Sequence, residues 1–146
     1  MKLSDWAKNR QQSFKSPEDL SQHFHKSRSL SGWVNGAYEL MAKSVLKEKG
    51  SNWELICPPR IESQIYRHNA SLILWEFFDE LTTPIALIIA DPDHPAKQAP
   101  AQVCSSLVKS SDIPFIMVPG TTHLLQIEKP EKCRASFKKL LAEITA

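Results

Sequence analysis

Residues 84–95, P-I-A-L-I-I-A-D-P-D-H-P, and residues 118–123, V-P-G-T-T-H, decide the fold of this 146-residue chain. The first segment contains the continuous apolar run Ile85–Ala90, and the second continues the apolar run Pro114–Val118. Apolar runs without polar alternation are typical of strands that are covered on both faces, as in parallel sheets. The loop after the first strand holds acids, and the loop after the second holds a histidine.

Helical patterns follow both predicted strands. One pattern has apolar residues at helical spacing, namely Ala96, Ala99, Val103 and Leu107, although Pro100 should confine the regular helix to its later part. The other begins near Pro130 and continues to Ile144. The resulting order β-α-β-α is that of a right-handed parallel unit. We therefore predict an α/β fold for residues 83–146, with two parallel strands.

The preceding residues, 1–82, predict a mainly helical segment. Helix starts or apolar stripes indicate helices from Ser16-Pro17, from Ser31 or Gly32 to Lys49, over Ile61–His68 and over Leu72–Leu81. Gly50 is expected to act as the C-cap of the second of these helices. Trp53–Cys57 reads as a short extended piece that Pro58 and Pro59 stop, because proline donates no ladder hydrogen bond.

The bulk composition is that of an ordinary globular domain. Apolar residues make up 42% and charged residues 23% of the chain, and the net charge of +2 comes from well-mixed charges. This pattern indicates neither a nucleic-acid partner nor a membrane partner. The N-terminus shows no signal-peptide pattern, and Cys57, Cys104 and Cys133 are widely spaced. We expect reduced thiols, a cytoplasmic location and no metal or cofactor.

His123 is the strongest candidate for chemistry. Histidine takes and returns a proton near neutral pH, so a histidine on a loop beyond a buried strand is a good general base. The surrounding residues, V-P-G-T-T-H-L-L-Q-I-E-K-P-E, resemble the signature around the catalytic histidine of α/β-hydrolases. In that signature a Gly-x-x-His turn leads to an acid-x-Pro-Glu helix start. The residues that match it are Val118, Pro119, Gly120, His123, Glu128, Pro130 and Glu131.

The resemblance also implies a triad acid on the loop after the first strand. In α/β-hydrolases this acid lies nine residues after the proline that opens the strand, and the count from Pro84 reaches Asp93. Asp91 is the alternative, because Ala90 stands where the family usually has glycine. The acid would orient the imidazole and stabilise its charged form. A loop in which both acids only favour a turn is the competing interpretation.

The first half of the chain resembles the cap region of the same family. The matching motifs are R-x-x-x-F at 10–14, S-P-E-D-L-x-x-x-F at 16–24, G-W at 32–33 and W-E-L-x-C-P-P-x-x-E at 53–62. Cap helices roof the active site in this family. Five residues are candidates either for pocket lining or for ordinary core, namely Trp33, Tyr38, Trp53, Ile56 and Tyr66. The resemblance covers residues 5–144 and corresponds to the C-terminal half of the family.

The nucleophile that the family requires is absent from this sequence. Only Gly32–Gly36 has the G-x-x-x-G spacing, and its middle residue is Val34 rather than serine. We therefore expect a truncated or split serine-type hydrolase that is inactive alone and has a small-molecule substrate when completed. Its partner would be a complementary N-terminal half, or a second copy through self-association. A gene remnant and a non-catalytic binding module are the alternatives.

Overall fold

A computed structural model of the chain describes residues 3–69, 80–96 and 99–144. The chain divides into two units, each with its own internal contacts. The first comprises Met1–Leu30 and Asn35–Glu80, and the second comprises Ser31–Val34 and Leu81–Ala146. In the described ranges, none of the helices combines the length and the apolar character needed to cross a lipid bilayer.

The described part of the first unit combines helices with a small antiparallel sheet. Its elements are α1 (Leu3–Lys8), β1 (Ser13–Phe14), α2 (Pro17–Lys26), a 3-10 turn (Arg28–Leu30), α3 (Ala37–Val45), β2 (Leu46–Lys49), β3 (Asn52–Leu55) and α4 (Pro59–Asn69). The strand order is β1-β3-β2, and both pairings are antiparallel. Helices α2 and α3 and the sheet enclose a buried core that consists of Phe14, Leu20, Ala42, Leu46 and Leu55.

The predicted long helix that ends at Lys49 is wrong at both ends. Gly36 has a φ of 83° and lies just before α3, which therefore starts later than predicted. Residues 46–49 form β2, because pairing with β3 buries Leu46 opposite Leu55. Gly50, with a φ of 62°, makes the turn of this hairpin and not a helix C-cap. The sheet therefore replaces part of a segment that the sequence predicts as helical.

Other predictions for this unit are confirmed. Helix α2 starts after Ser16, whose hydroxyl accepts a hydrogen bond from the Asp19 amide at 3.3 Å. The predicted helix Ile61–His68 lies within α4. Residues 72–79 of the predicted helix Leu72–Leu81 lie outside the described ranges.

A polar contact joins two of the cap-like motifs of the sequence. Arg10 donates from Nη1 to both carboxylate oxygens of Glu62, at 2.7 and 2.6 Å. The Arg10 guanidinium also lies 5.2 Å from the centre of the Trp6 ring, so it interacts with an aromatic face as well. Helices α1 and α4 pack against each other beside this ion pair. The motif at residues 10–14 and the motif at residues 53–62 are therefore joined by one ion pair.

The second unit has the predicted β-α-β-α order. Its elements are β4 (Leu87–Ala90), α5 (Ala99–Lys109), β5 (Phe115–Val118), the short helix α6 (Leu125–Glu128) and α7 (Pro130–Ile144). Strands β4 and β5 pair in parallel, with Leu87 opposite Phe115 and Ala90 opposite Val118. Helix α5 begins at Ala99 and so includes Pro100, because proline is well tolerated in the first turn. The described helix thus begins after Ala96, the first residue of the predicted pattern, and has Pro100 in its first turn.

Helices cover the strands of this unit only in part and leave an apolar groove. Phe115 and Met117 of β5 are 46% and 40% exposed, so the expectation that both strands are covered on both faces is wrong for β5. Helix α5 packs against β4, and α7 packs against both strands. Val118 is almost completely buried, and Ile89 and Leu140 are also buried. Beside them, a groove of about 300 Å³ is lined only by apolar residues, namely Pro84, Ile85, Ala86, Ile88, Phe137, Leu140, Leu141 and Ile144. Phe137 and Leu141 in this groove are 58% and 44% exposed.

The core of the first unit gives a stability prediction. Leu20 and Leu40 lie in neighbouring helices, but Leu20 is 3% exposed and Leu40 is 72% exposed. We expect Leu20→Ala to lower the free energy of unfolding by about 2–5 kcal/mol, since it leaves a cavity. We expect Leu40→Ala to change it by less than about 0.5 kcal/mol. Urea unfolding followed by circular dichroism measures both, and equal losses would contradict the assignment of this core.

The groove beside α7 gives a second prediction. Exposed contiguous apolar surface binds hydrophobic dyes and favours association. We expect the chain to enhance the fluorescence of 8-anilinonaphthalene-1-sulfonate, and we expect the double variant Phe137→Ser, Leu141→Ser to reduce that enhancement. The variant Leu40→Ser is the control, because it removes an exposed leucine that does not line this groove. A wild-type chain that leaves the dye unchanged would refute the prediction.

Candidate functional site

The candidate site begins where the two parallel strands end. Ala90 and Val118 are paired and buried, and they are the last residues of β4 and β5. Because parallel strands point the same way, the loops that follow them leave the sheet at the same edge. The loop after β4 carries Asp91 and Asp93, and the loop after β5 carries His123. The fold thus brings the predicted acid loop and the predicted histidine loop to one edge.

The acid loop is held by its own polar contacts. The Asp91 carboxylate accepts a hydrogen bond from the Asp93 amide at 2.9 Å through Oδ1. Gln102 of α5 donates from Nε2 to the carbonyl oxygen of Pro92, which ties the loop to the following helix. Asp93 itself is exposed, whereas Asp91 is half-buried. The two candidate acids therefore have different surroundings.

Asp91 connects the two loops. Its Oδ2 accepts a hydrogen bond from the Gly120 amide at 2.7 Å, across the sheet edge. Hydrogen bonds from the Gly120 amide and then from the Asp93 amide hold the pKa of Asp91 below its usual range, because both stabilise the charged carboxylate. Asp91 therefore has a structural task. The sequence pattern predicts Asp91 only as an alternative triad acid. Its contact with Gly120 leaves no local signal, because the two residues are 29 positions apart.

The turn before His123 requires a glycine. Gly120 has a φ of 63°, a backbone conformation that side chains other than glycine rarely adopt. A Cβ at this position would also lie 3.2 Å from Nζ of Lys129, which donates to the carbonyl oxygen of Pro119. Next to it, Thr121 is completely buried, and its hydroxyl donates to the carbonyl oxygen of Val118 at 2.7 Å. This geometry explains why the matching motif has glycine three residues before histidine.

Glu128 anchors the residue directly before His123. Its Oε2 accepts a hydrogen bond from the Thr122 amide at 2.7 Å, and its Oε1 accepts one from the Thr122 hydroxyl. The same hydroxyl accepts a hydrogen bond from the Leu124 amide at 3.2 Å. The motif match includes Glu128, but it assigns no role to this acid. The structure shows that its carboxylate organises the turn.

The side chain of His123 is exposed at the end of this turn, as is the side chain of Asp93 on the other loop. His94 lies within the acid loop, where its Nδ1 accepts a hydrogen bond from the Ala96 amide at 3.2 Å. Within residues 3–69, 80–96 and 99–144, no group of three or more histidine, cysteine or acidic side chains is placed to hold a metal ion.

Cys133 of α7 lies close to the anchored turn. Its thiol donates to the carbonyl oxygen of Leu125 at 3.3 Å, and it is half-buried. Burial raises the pKa of the Cys133 thiol, and the nearby Glu128 carboxylate adds to this effect. A raised pKa keeps the thiol protonated and poorly nucleophilic near neutral pH.

The elements around this site form part of the α/β-hydrolase fold, as predicted. The chain is similar to the crystal structure of E-2-(acetamidomethylene)succinate hydrolase, with a TM-score of 0.73 and 16% sequence identity. The match covers 95% of this chain and 52% of that chain, so the present chain spans about half the length of that hydrolase. No protein-family model matches the sequence, and no curated protein matches it.

The bridge between the loops predicts a dependence of stability on pH. The pKa of Asp91 is lowered in the folded chain, so its contribution is present above the pKa of an unfolded aspartate, about 3.9, and is lost as the pH falls through the lower folded value. We expect the melting temperature of the wild type to fall more steeply below about pH 4 than that of Asp91→Asn. Asp93→Asn is the control, because it keeps the Asp93 amide that donates to Asp91 and removes a carboxylate that takes no part in this bridge. Parallel pH profiles for the wild type and Asp91→Asn would contradict the bridge.

Proposed function

We propose that this chain supplies the general base and the orienting acid of a serine-type α/β-hydrolase. His123 is the base, Asp93 is the acid, and a serine outside these 146 residues is the nucleophile. The reaction is hydrolysis of an ester, an amide or a similar bond in a small molecule. One observation carries the proposal: the parallel pair β4 and β5 delivers the acid loop and the histidine loop to one sheet edge, where Asp91 joins them.

The contacts of the two candidate acids support Asp93 as the acid of the pair. Both carboxylate oxygens of Asp91 already accept backbone amides, from Asp93 and from Gly120. An acid in that position holds the loops. The carboxylate of Asp93 is exposed on the same loop, and neither of the two hydrogen bonds of Asp91 uses it. We therefore assign loop bridging to Asp91 and imidazole orientation to Asp93.

In the proposed reaction His123 moves one proton in each half-cycle. It takes the proton of the serine hydroxyl as the serine oxygen attacks the carbonyl carbon, and it returns that proton to the leaving group when the bond breaks. A water molecule then attacks the acyl-serine, and His123 takes the proton of the water and returns it to the serine. The Asp93 carboxylate accepts a hydrogen bond from the other ring nitrogen and stabilises the transient imidazolium.

The first unit acts as the cap in this proposal, as the three cap-like motifs that lie within it imply. It is built on a hydrophobic core and on the ion pair between Arg10 and Glu62. The residues that hold the oxyanion come, like the serine, from sequence other than this chain. Removal of one oxyanion donor from an acyl-transfer site lowers the rate by about 100- to 1,000-fold.

The proposal predicts that the chain is inactive alone and active when completed. We expect no hydrolysis of p-nitrophenyl acetate above the buffer rate for the isolated chain. We expect activity when the chain is co-expressed with the polypeptide that is encoded immediately upstream of its first codon. In that complex His123→Ala should abolish the activity, and Asp93→Asn should reduce kcat by on the order of 10⁴-fold, because the imidazole loses its orienting acid.

Asp91→Asn serves as the matched control for the acid. If Asp91→Asn costs as much in kcat as is expected of Asp93→Asn, and Asp93→Asn costs little, the two roles must be exchanged. Activity of the isolated chain that disappears in His123→Ala would show that no second polypeptide is required. An inactive complex whose upstream partner contains G-x-S-x-G would refute the hydrolase proposal itself.

A binding module is the second candidate, and a pocket in the first unit favours it. The pocket has a volume of about 280 Å³ and is lined partly by Ser21, His25, Glu39 and Lys43. Glu39 accepts hydrogen bonds from Ser21 and contacts His25, both at 3.2 Å. Under this alternative a ligand raises the melting temperature equally in the wild type and in the double variant His123→Ala, Asp93→Ala. A shift that needs His123 or Asp93 favours the hydrolase.

A further inference from the structure

We propose that Glu128 is the positioning residue of His123 and that Gly32 provides the space for its carboxylate. The inference rests on the proposed role of His123 as a base, and it adds the residues that fix where this base stands. It is carried by contacts on both sides of His123 in the chain and by the packing of the segment Ser31–Val34, which belongs to the same unit.

The backbone of His123 is restrained on both sides by one short chain of hydrogen bonds. On the N-terminal side, Glu128 binds the amide and the hydroxyl of Thr122. On the C-terminal side, the Leu124 amide donates to the same Thr122 hydroxyl. Because hydrogen bonds to a charged carboxylate are stronger than those between neutral groups, this chain depends mainly on Glu128. Removal of that carboxylate frees both neighbours of His123 together.

The position of Glu128 depends in turn on Gly32. Glu128 ends α6, and its neighbour Ile127 accepts a hydrogen bond from the Val34 amide at 3.2 Å. The segment Ser31–Val34 therefore lies directly against the end of α6. A Cβ at Gly32 would lie 3.4 Å from both Cδ and Cγ of Glu128. A methyl group fits at this distance, whereas we expect a larger side chain to crowd the carboxylate.

The sequence contains these residues in two separate motifs, G-W at residues 32–33 and the histidine signature that includes Glu128. The contact gives both motifs one physical purpose. A small residue is required at this position for the space beside the carboxylate, and no unusual backbone angle requires glycine, since Gly32 is not among the glycines with positive φ. The inference thus assigns a role in positioning the base to a residue that is far from it in sequence.

Nuclear magnetic resonance of the isolated chain tests the inference without any substrate. In Glu128→Ala we expect the Thr122 and Leu124 amides to exchange with solvent on the order of tenfold faster or more. The ring carbon signals of His123 should broaden or split, because the residue samples more than one position. Glu131→Ala is the matched control: it removes a nearby acid that pairs with Arg134 and makes none of these contacts to Thr122.

Conservative variants separate positioning from general stability. Thr122→Ser keeps the bridging hydroxyl and should behave as the wild type. Thr122→Val loses this hydroxyl and should speed the exchange of the Leu124 amide and disturb the His123 signals, while the amide of residue 122 still donates to Glu128. Gly32→Ala should leave the His123 signals unchanged, and Gly32→Leu should disturb them. These pairs remain informative if Glu128→Ala fails to fold. Unchanged His123 signals and unchanged Leu124 exchange in Thr122→Val, or unchanged His123 signals in Gly32→Leu, would overturn the inference.

Failure of the positioning role of Glu128 can be distinguished from failure of the proposed hydrolase function. If the resonance changes occur but the completed complex hydrolyses nothing, Glu128 positions a histidine that is not a base, and the hydrolase proposal fails. If the complex is active, Glu128→Ala should lower kcat and leave KM nearly unchanged, since His123 acts in the chemical step. An active complex whose kcat is insensitive to Glu128→Ala would overturn the positioning role alone.

Discussion

Parallel pairing of β4 with β5 determines where every candidate catalytic side chain lies. The pairing spans four residues in each strand, from Leu87 opposite Phe115 to Ala90 opposite Val118. Because both strands run in the same direction, the loops that carry Asp93 and His123 leave from one edge. In an antiparallel pair the same loops would leave from opposite ends. The direction of one short strand pair therefore decides whether an acid and a base can serve one site.

A strand pair this short needs support from beyond its own ladder. Sheets of two strands are marginal without helices packed on them, and here α5 and α7 provide that cover. Two carboxylates extend the support into the loops. Asp91 ties the acid loop to Gly120, and Glu128 ties Thr122 to the end of α6. Asp91 thus continues the connection between β4 and β5 where the backbone ladder stops, and Glu128 fixes the loop after β5.

The sequence is a good guide where a local pattern determines the structure. Continuous apolar runs correctly predict β4 and β5, although β4 begins at Leu87 rather than Ile85, and Ser16-Pro17 correctly predicts the start of α2. The sequence is a poor guide where a contact with a residue that is distant in the chain determines the local structure. Residues 46–49 continue a helical pattern, but pairing with β3 makes them a strand. The bridge from Asp91 to Gly120 and the support of Thr122 by Glu128 also depend on contacts that no spacing rule reveals.

The bridge from Asp91 to Gly120 also limits how the two loops can vary in length. Asp91 directly follows β4, and a single residue separates Gly120 from β5. An insertion before either residue would move the carboxylate away from the amide and separate the loops. Chain added after Asp93, in front of α5, would leave this bond intact. Variation in the length of this loop is therefore compatible with the architecture only beyond Asp93, on the far side of the bridge.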